Sequence, residues 1–451
     1  MHASLRGVSK GKLCLASAMG ALAALALAGT AWTAEGPKSD EVFKATTAIQ
    51  VGTTPFVSFD ISWVDSTLHR YFLADRSHKS IDVVNPSDNS ITLFPNPGYA
   101  GAIPGNNDVS GPDGVLTANN HTELWVGDSP GRVWVLDSSN GAIKTPAQGV
   151  PANPILVNAD PITHANLSTT RADELCYDPH NHVIMIASPA ETPPFVTFID
   201  TTSHTVISKL NFDGTNGTPN ATGGLEQCQW SPKTGKLYQN VPVDGAGPGG
   251  AVVVIDGKTM KVENIFPVPP EACELPQGMT IGPSNQILLG CAGVSPNGHS
   301  NIAIINANSG AILASLPDIG GADQVWFNEG DGHYFIPGCN AACRANPGSQ
   351  LEQLGVVDAN GFRLDQSVPI PANAGTTGRR VHSVAADDAT NQVYVPIPAI
   401  TGTFSTPSIC SSATHNVGSP SDATGCIAVF TATHDDRSRV AHERDRDDHQ
   451  E

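Results

Sequence analysis

Seven side chains able to hold a cation or move a proton recur at one place in a repeating pattern along this 451-residue chain: Asp60, Asp113, Asp173, Glu226, Gln277, Asp323 and His382. They fall into register when the chain is aligned on the turns at Asp178 and Pro179, Ser231 and Pro232, and Gly282 and Pro283. Successive members are 53, 60, 53, 51, 46 and 59 positions apart, and an apolar or small side chain stands two residues beyond each. Carboxylates gathered in a partly desolvated place raise one another's pKa unless a cation, water or protons intervene. Asp60, Asp113, Asp173, Glu226 and Asp323 are therefore the candidate metal ligands, with Gln277 and His382 as candidate ligand-binding groups. Oxygen ligands of this kind suit Ca2+ or Mg2+ better than zinc or copper. Such an ion either staples the structure or polarises a carbonyl and activates a water. In the second case His382 is the candidate catalytic base. A purely structural reading stands beside these, because aspartates at strand starts cap turn amides, and the pattern leaves both open.

The elements that position these residues repeat with a period of about 50, in the range of stacked or radial architectures. Each unit has four short apolar stretches. The second is the most regular: HRYFLAD at 69–75, TELWVGD at 122–128, HVIMIAS at 182–188, GKLYQNV at 235–241, QILLGCA at 286–292, HYFIPGC at 333–339 and NQVYVPI at 391–397. A third stretch follows each copy (SIDVVN, RVWVLD, VTFIDT, VVVIDG, IAIINA, LGVVDA, CIAVFT), rich in β-branched residues that suit a buried pleated surface. Six units continue through a turn into a fourth stretch, such as SITLF, GAIKT, HTVISKL or GAILASL. The seventh has none, while KATTAIQV at 44–51 has no partner of its own. The fold expected is all-β, a seven-bladed β-propeller of four-stranded antiparallel blades closed by the N-terminal strand, which removes the open edges that template aggregation. One polar residue at the start of each inner strand then rings one mouth of the central channel.

On the tetrapeptide LYQN at 237–240 and the third strands SIDVV and VVVID, the chain resembles the YVTN-type, YncE-like seven-bladed propellers over nearly its whole length, from Phe43 to Thr433. No copy holds the family's tetrapeptide intact. The count of seven argues against the neighbouring six-bladed lactonase-like propellers.

Arg6, Lys10 and Lys12, the apolar run 13–28 and the small residues before Glu35 have the layout of a cleaved export signal, with cleavage near Ala28, Ala31 or Ala34. The division expected is a signal peptide at 1–31, a propeller at 32–433 and a charged tail at 434–451. The apolar run is short of the roughly 20 residues that span a bilayer, so no stable membrane insertion is expected and the location is periplasmic or secreted. Eight cysteines remain beyond Cys14, an even set in an oxidising compartment. Cys273 and Cys291 flank the inner and second strands of one blade, Cys339–Cys343 and Cys410–Cys426 would pin long loops, and Cys176 and Cys228 start consecutive inner strands. This is one connectivity among 105 for eight cysteines. No CxxCH or clustered CxxC is present, so no haem or thiolate metal is indicated.

A charge of −19, or −22 once Arg6, Lys10 and Lys12 leave with the signal, disfavours nucleic acid and anionic lipid. No HExxH or P-loop occurs, so no nucleotide cofactor is expected. Asp75 and Asp128 read as turn caps, as do Asp137, Asp200, Asp256, Asp358, Asn85 and Asn306 after third strands, and His164 and His299 as surface residues. Loops 98–112, 242–250, 293–300, 340–352 and 399–425 are longer than hairpins need, and most gather on the ring face. Two functions follow as expectations. One is a monomeric exported propeller binding a small molecule or protein on that face. The other is a metal-dependent lactonase, hydrolase or lyase with Asp173, Glu226 and Asp323 as ligands and His382 as base.

Overall fold

A computed structural model describes residues 41–145, 153–339, 352–370, 381–399 and 409–434. Six four-stranded antiparallel sheets follow one another along the chain, each ordered from its first strand outward. Blade 1 is Ser62–Asp65, Arg70–Asp75, Ser80–Val84 and Ile91–Leu93. Inner strands Val115–Ala118, Leu175–Asp178, Cys228–Ser231, Pro276–Ile281 and Trp326–Asn328 open blades 2 to 6. Blade 7 begins with Ala385–Asp387 and Gln392–Ile397, takes Cys426–His434 third, and is completed by Glu41–Ile49. That last strand runs antiparallel to the third, with Phe43 opposite Ala432 and Ile49 opposite Ile427. The wheel closes as the unpaired N-terminal stretch requires.

The hydrophobic cores lie between blades, because each sheet is apolar on both faces. Phe72 and Ile81 of blade 1 pack with Leu124, Val126 and Trp134 of blade 2, and Trp125 and Val135 of blade 2 pack with Ile184 and Phe195 of blade 3. The closing seam is covered by Tyr71 of blade 1 stacked on Tyr394 of blade 7, ring centres 4.7 Å apart. Full burial of each such side chain contributes about 1.5–3 kcal/mol.

Two details depart from the repeat pattern. The stretch GAIKT does not form the outer strand of blade 2; it makes a single bridge, Leu136 to Ile143, and the outer strand is Ile155–Leu156. The Asn153 side chain sits between them, accepting from Val135 N–H and donating to the Val135 and Lys144 carbonyls. An amide side chain thus satisfies ladder groups that a strand would otherwise occupy. Blade 7 also carries a fifth strand, His415–Val417, parallel to Thr47, Ala48 and Ile49. The adjoining turn of helix, Ile409–Ser412, is tied to the third strand by Cys410–Cys426.

Disulfides join Cys176 to Cys228, Cys273 to Cys291 and Cys410 to Cys426, with Cα atoms 5.7, 5.2 and 5.6 Å apart. These are the expected pairs. The Cys339–Cys343 pairing, the export segment and the tail beyond His434 lie outside the described residues. Among the described residues no helix is long and apolar enough to cross a membrane. The expected turn caps are in place: Asp137, Asp200, Asp256, Asp358, Asn85 and Asn306 each accept a backbone N–H two or three residues on. His69, His121 and His182 hold left-handed turn positions before second strands, φ 50, 63 and 55°, which histidine tolerates better than most side chains.

Candidate functional site

The ring position is defined by the backbone before it is defined by side chains. In blades 1 to 4 its N–H donates to the carbonyl fourteen residues on, Asp60 to Ala74, Asp113 to Gly127, Asp173 to Ala187 and Glu226 to Asn240, at 2.8–3.2 Å. The residue after it reaches the next blade: Ile61 N–H donates to the Asp113 carbonyl, Gln227 to that of Gln277, and Gln324 to that of His382. These links tie blade 1 to 2, 4 to 5 and 6 to 7 at one mouth. Gly114 shows how tightly, since a Cβ there would lie 2.4 Å from the Asp173 carbonyl oxygen. Beneath blades 6, 7 and 1 the buried Gln324 amide accepts from Ser62 N–H, Val384 N–H and Ser383 Oγ and donates to the Ser62 carbonyl.

Asp60, Glu226, Gln277, Asp323 and His382 line one cavity of about 560 Å3, together with Arg76, Arg171 and Asp108. Asp113 and Asp173 are buried and held by the two arginines. Arg76 donates to Asp60 at 2.7 Å and to Asp113 at 2.5 Å; Arg171 donates to Asp173 at 2.7 Å and to Asp108 at 3.3 Å. Burial works against the charge on both guanidiniums, yet the surrounding carboxylates outweigh it and hold their pKa values above the ordinary one.

The rest of the mouth is different. Glu174, Glu226 and Asp323 bring carboxylate oxygens within 4.8 Å of one another, and among the described residues no ion pair falls on any of them. Gln277 donates to Glu226 at 2.8 Å. One oxygen of Glu174, a residue only 4% exposed, has no hydrogen-bond partner. Burial, then the nearby Asp323, pushes Glu226 up to about 8. Burial followed by Asp173, Asp323 and Glu226 raises Glu174 well above the carboxylate range. Asp60, at the junction of the two arcs, is raised to about 7 by burial, against the pull of Arg76. Asp60, Asp323 and His382 form a further close triplet, and His382 lies flat on Phe59 with ring centres 4.4 Å apart.

Arg76, Arg171, Asp108 and Glu174 were not in the ring pattern. Arg76 follows Asp75, the last residue of a second strand, and Arg171 stands two before Asp173. Both places fall on the ring face once the strands alternate in direction, and that signal was in the repeat. Asp75 and Asp128 are local supports: Asp75 accepts from Ser77 and His78 N–H, and Asp128 from Ala100 N–H and the Trp134 indole.

Fold and mouth together define a seven-bladed β-propeller with an acidic axial cavity crossed by two arginines. The chain is similar to the structure of U3-55K, at TM-score 0.55 and 10% identity over 87% of this chain and 99% of that one. It is also similar to the RRP9 WD40 repeats, at 0.54 and 10% over 88% and 99%. At that identity the likeness is one of fold. No protein-family model and no curated protein matches the sequence.

Proposed function

We propose that this is an exported binding propeller whose mouth takes a divalent cation, Ca2+ or Mg2+, on the Glu174–Glu226–Asp323 arc and engages a small molecule or protein on the surrounding loops. The observation that carries it is the contrast in countercharge: three mutually close carboxylates without an ion pair, one of them with a buried, unpartnered oxygen. Burial of like charges at that distance is costly unless protons or a cation neutralise them, and an all-oxygen set suits a hard ion. Asp60 and His382 adjoin the arc through Asp323. Asp113 and Asp173 have guanidinium partners and are assigned to holding the mouth. Three disulfides support export to an oxidising compartment, and the YncE-like resemblance is retained at the level of architecture.

Metal analysis of the purified protein, with Ca2+ and Mg2+ titrations by calorimetry, tests the reading. The expected result is one ion per chain, lost in the double variant E226Q/D323N. A metal-free protein that ignores both ions and whose melting is unmoved by chelator would end it.

A second reading, a metal-assisted hydrolase or lyase, rests on the orientation of His382. Stacking on Phe59 holds its imidazole beside Asp60 and Asp323 at the same cavity, where it would accept a proton from a water or substrate. A bound ion would supply Lewis-acid polarisation. Turnover of a lactone and ester panel that disappears in H382A, with ion binding intact, is what this reading requires.

A further inference from the structure

The opposite end of the inner strands holds a larger cavity of about 860 Å3, between blades 1 to 4. It is separate from the acidic mouth, since none of its lining residues is shared with it. Its walls combine aromatic faces with neutral hydrogen-bonding groups. Tyr177 and Trp230 occupy the same place in successive inner strands, four residues beyond the ring position, and Trp63 stands on the strand of blade 1. All three are half-buried. Trp63 is fixed by its indole N–H to Thr117 Oγ1 at 3.1 Å and by an edge-to-face contact with Trp326. Trp230 stands edge-to-face to His180, and its indole N–H is buried with no acceptor.

The charged groups in this cavity are already satisfied by the chain. Asp65 accepts from Leu68 N–H at 3.0 Å, Thr117 Oγ1 at 2.6 Å and His121 Nδ1 at 2.6 Å. Glu123 accepts from the Asn119 amide and the Trp125 indole and pairs with His204. Lys144 donates to the Thr122 carbonyl. Among the described residues no uncompensated carboxylate is left to attract a cation, and no cluster of cations to attract an anion. What remains is aromatic surface and the half-exposed His121 ring held by Asp65. A neutral molecule with an apolar face and a rim of hydroxyls matches that set, the face lying on an aromatic ring and the hydroxyls meeting imidazole and amide. The volume lies within the roughly 300–1,000 Å3 of ordinary ligand pockets, which exceeds one sugar ring.

We propose that this cavity is a binding site for a short neutral oligosaccharide, with Trp63, Tyr177 and Trp230 as stacking platforms and His121 as a hydrogen-bonding group. The site does not depend on the cation assigned to the other mouth. Full-length mature protein in chelator is titrated with cellotriose, maltotriose, mannotriose and N,N′,N″-triacetylchitotriose, using saturation-transfer NMR and calorimetry. At least one is expected to bind with submillimolar Kd. Y177A and W230A are expected to weaken it at least tenfold, W230F less than W230A because it keeps the stacking face, and E226Q/D323N not at all. Melting curves and W230F guard against a merely unfolded variant. If none of the four binds at 10 mM, if binding survives both Y177A and W230A unchanged, or if tetramethylammonium or inorganic phosphate binds in their place, the proposal is overturned.

Discussion

The two arcs of the acidic mouth share one repeat position and one backbone geometry, yet they resolve the same electrostatic problem differently. Across blades 1 to 3, Arg76 and Arg171 bridge Asp60, Asp113 and Asp173. On the other arc, among the described residues, the Gln277 amide on Glu226 is the side-chain partner of Glu174, Glu226 and Asp323. The arginine arc carries its countercharge in the chain, whereas the described residues give the other arc none. Burial raises carboxyls on both arcs, Asp60 to about 7 and Glu226 to about 8, so the contrast lies in the guanidiniums.

The sharpest way to break the contrast is to remove a guanidinium. R76M leaves Asp60 and Asp113 without their countercharge, and losing one partner of a buried pair costs about 3–5 kcal/mol; urea unfolding in chelator is expected to show a loss of that size. A cation supplied to the other arc acts in the opposite direction. At a hundredfold excess over its Kd it stabilises by about 2.7 kcal/mol, read as a melting shift present in the wild type and absent in E226Q/D323N. If R76M is rescued by Ca2+ as well as the wild type is stabilised, the two arcs are not independent.

The pH response follows from the same carboxyls. Asp60 and Glu226 keep their protons in the folded chain up to about 7 and 8, whereas unfolded carboxyls lose theirs near 4. The folded state therefore binds more protons through that window, and their contribution is full below about pH 4 and lost as pH rises toward 8. In chelator, a fall of a few degrees in melting temperature from pH 5 to pH 8 is expected, smaller in E226Q and smaller again when Ca2+ is present. A melting temperature that climbs steadily over that range would contradict the assignment. The smallest effect is expected from E226Q alone in chelator at pH 6, where a neutral amide replaces a carboxyl that is already protonated; calorimetric melting should barely move.

Much of the architecture was legible because it is written periodically. Seven β-branched third strands, seven second strands that the structure matches to within a residue, and an unpaired N-terminal stretch left one closed arrangement. The pair Cys273–Cys291 was legible from strand direction, Cys410–Cys426 from the loop it pins, and Cys176–Cys228 from their places at consecutive inner strands. Blade 2 misled because GAIKT resembles an outer strand locally, while Asn153, ten residues on, takes over part of the ladder.

What the sequence by itself determined is the wheel and the convergence of Asp60, Glu226, Gln277, Asp323 and His382 on one cavity, because strand alternation and repeat length are local properties that add up around an axis. What only the tertiary structure decided is which of those carboxyls meets a guanidinium and which aromatic rings share the opposite cavity. Arg76 and Glu174 do not recur from blade to blade, and the reach of a single side chain across a blade boundary is fixed by packing rather than by period.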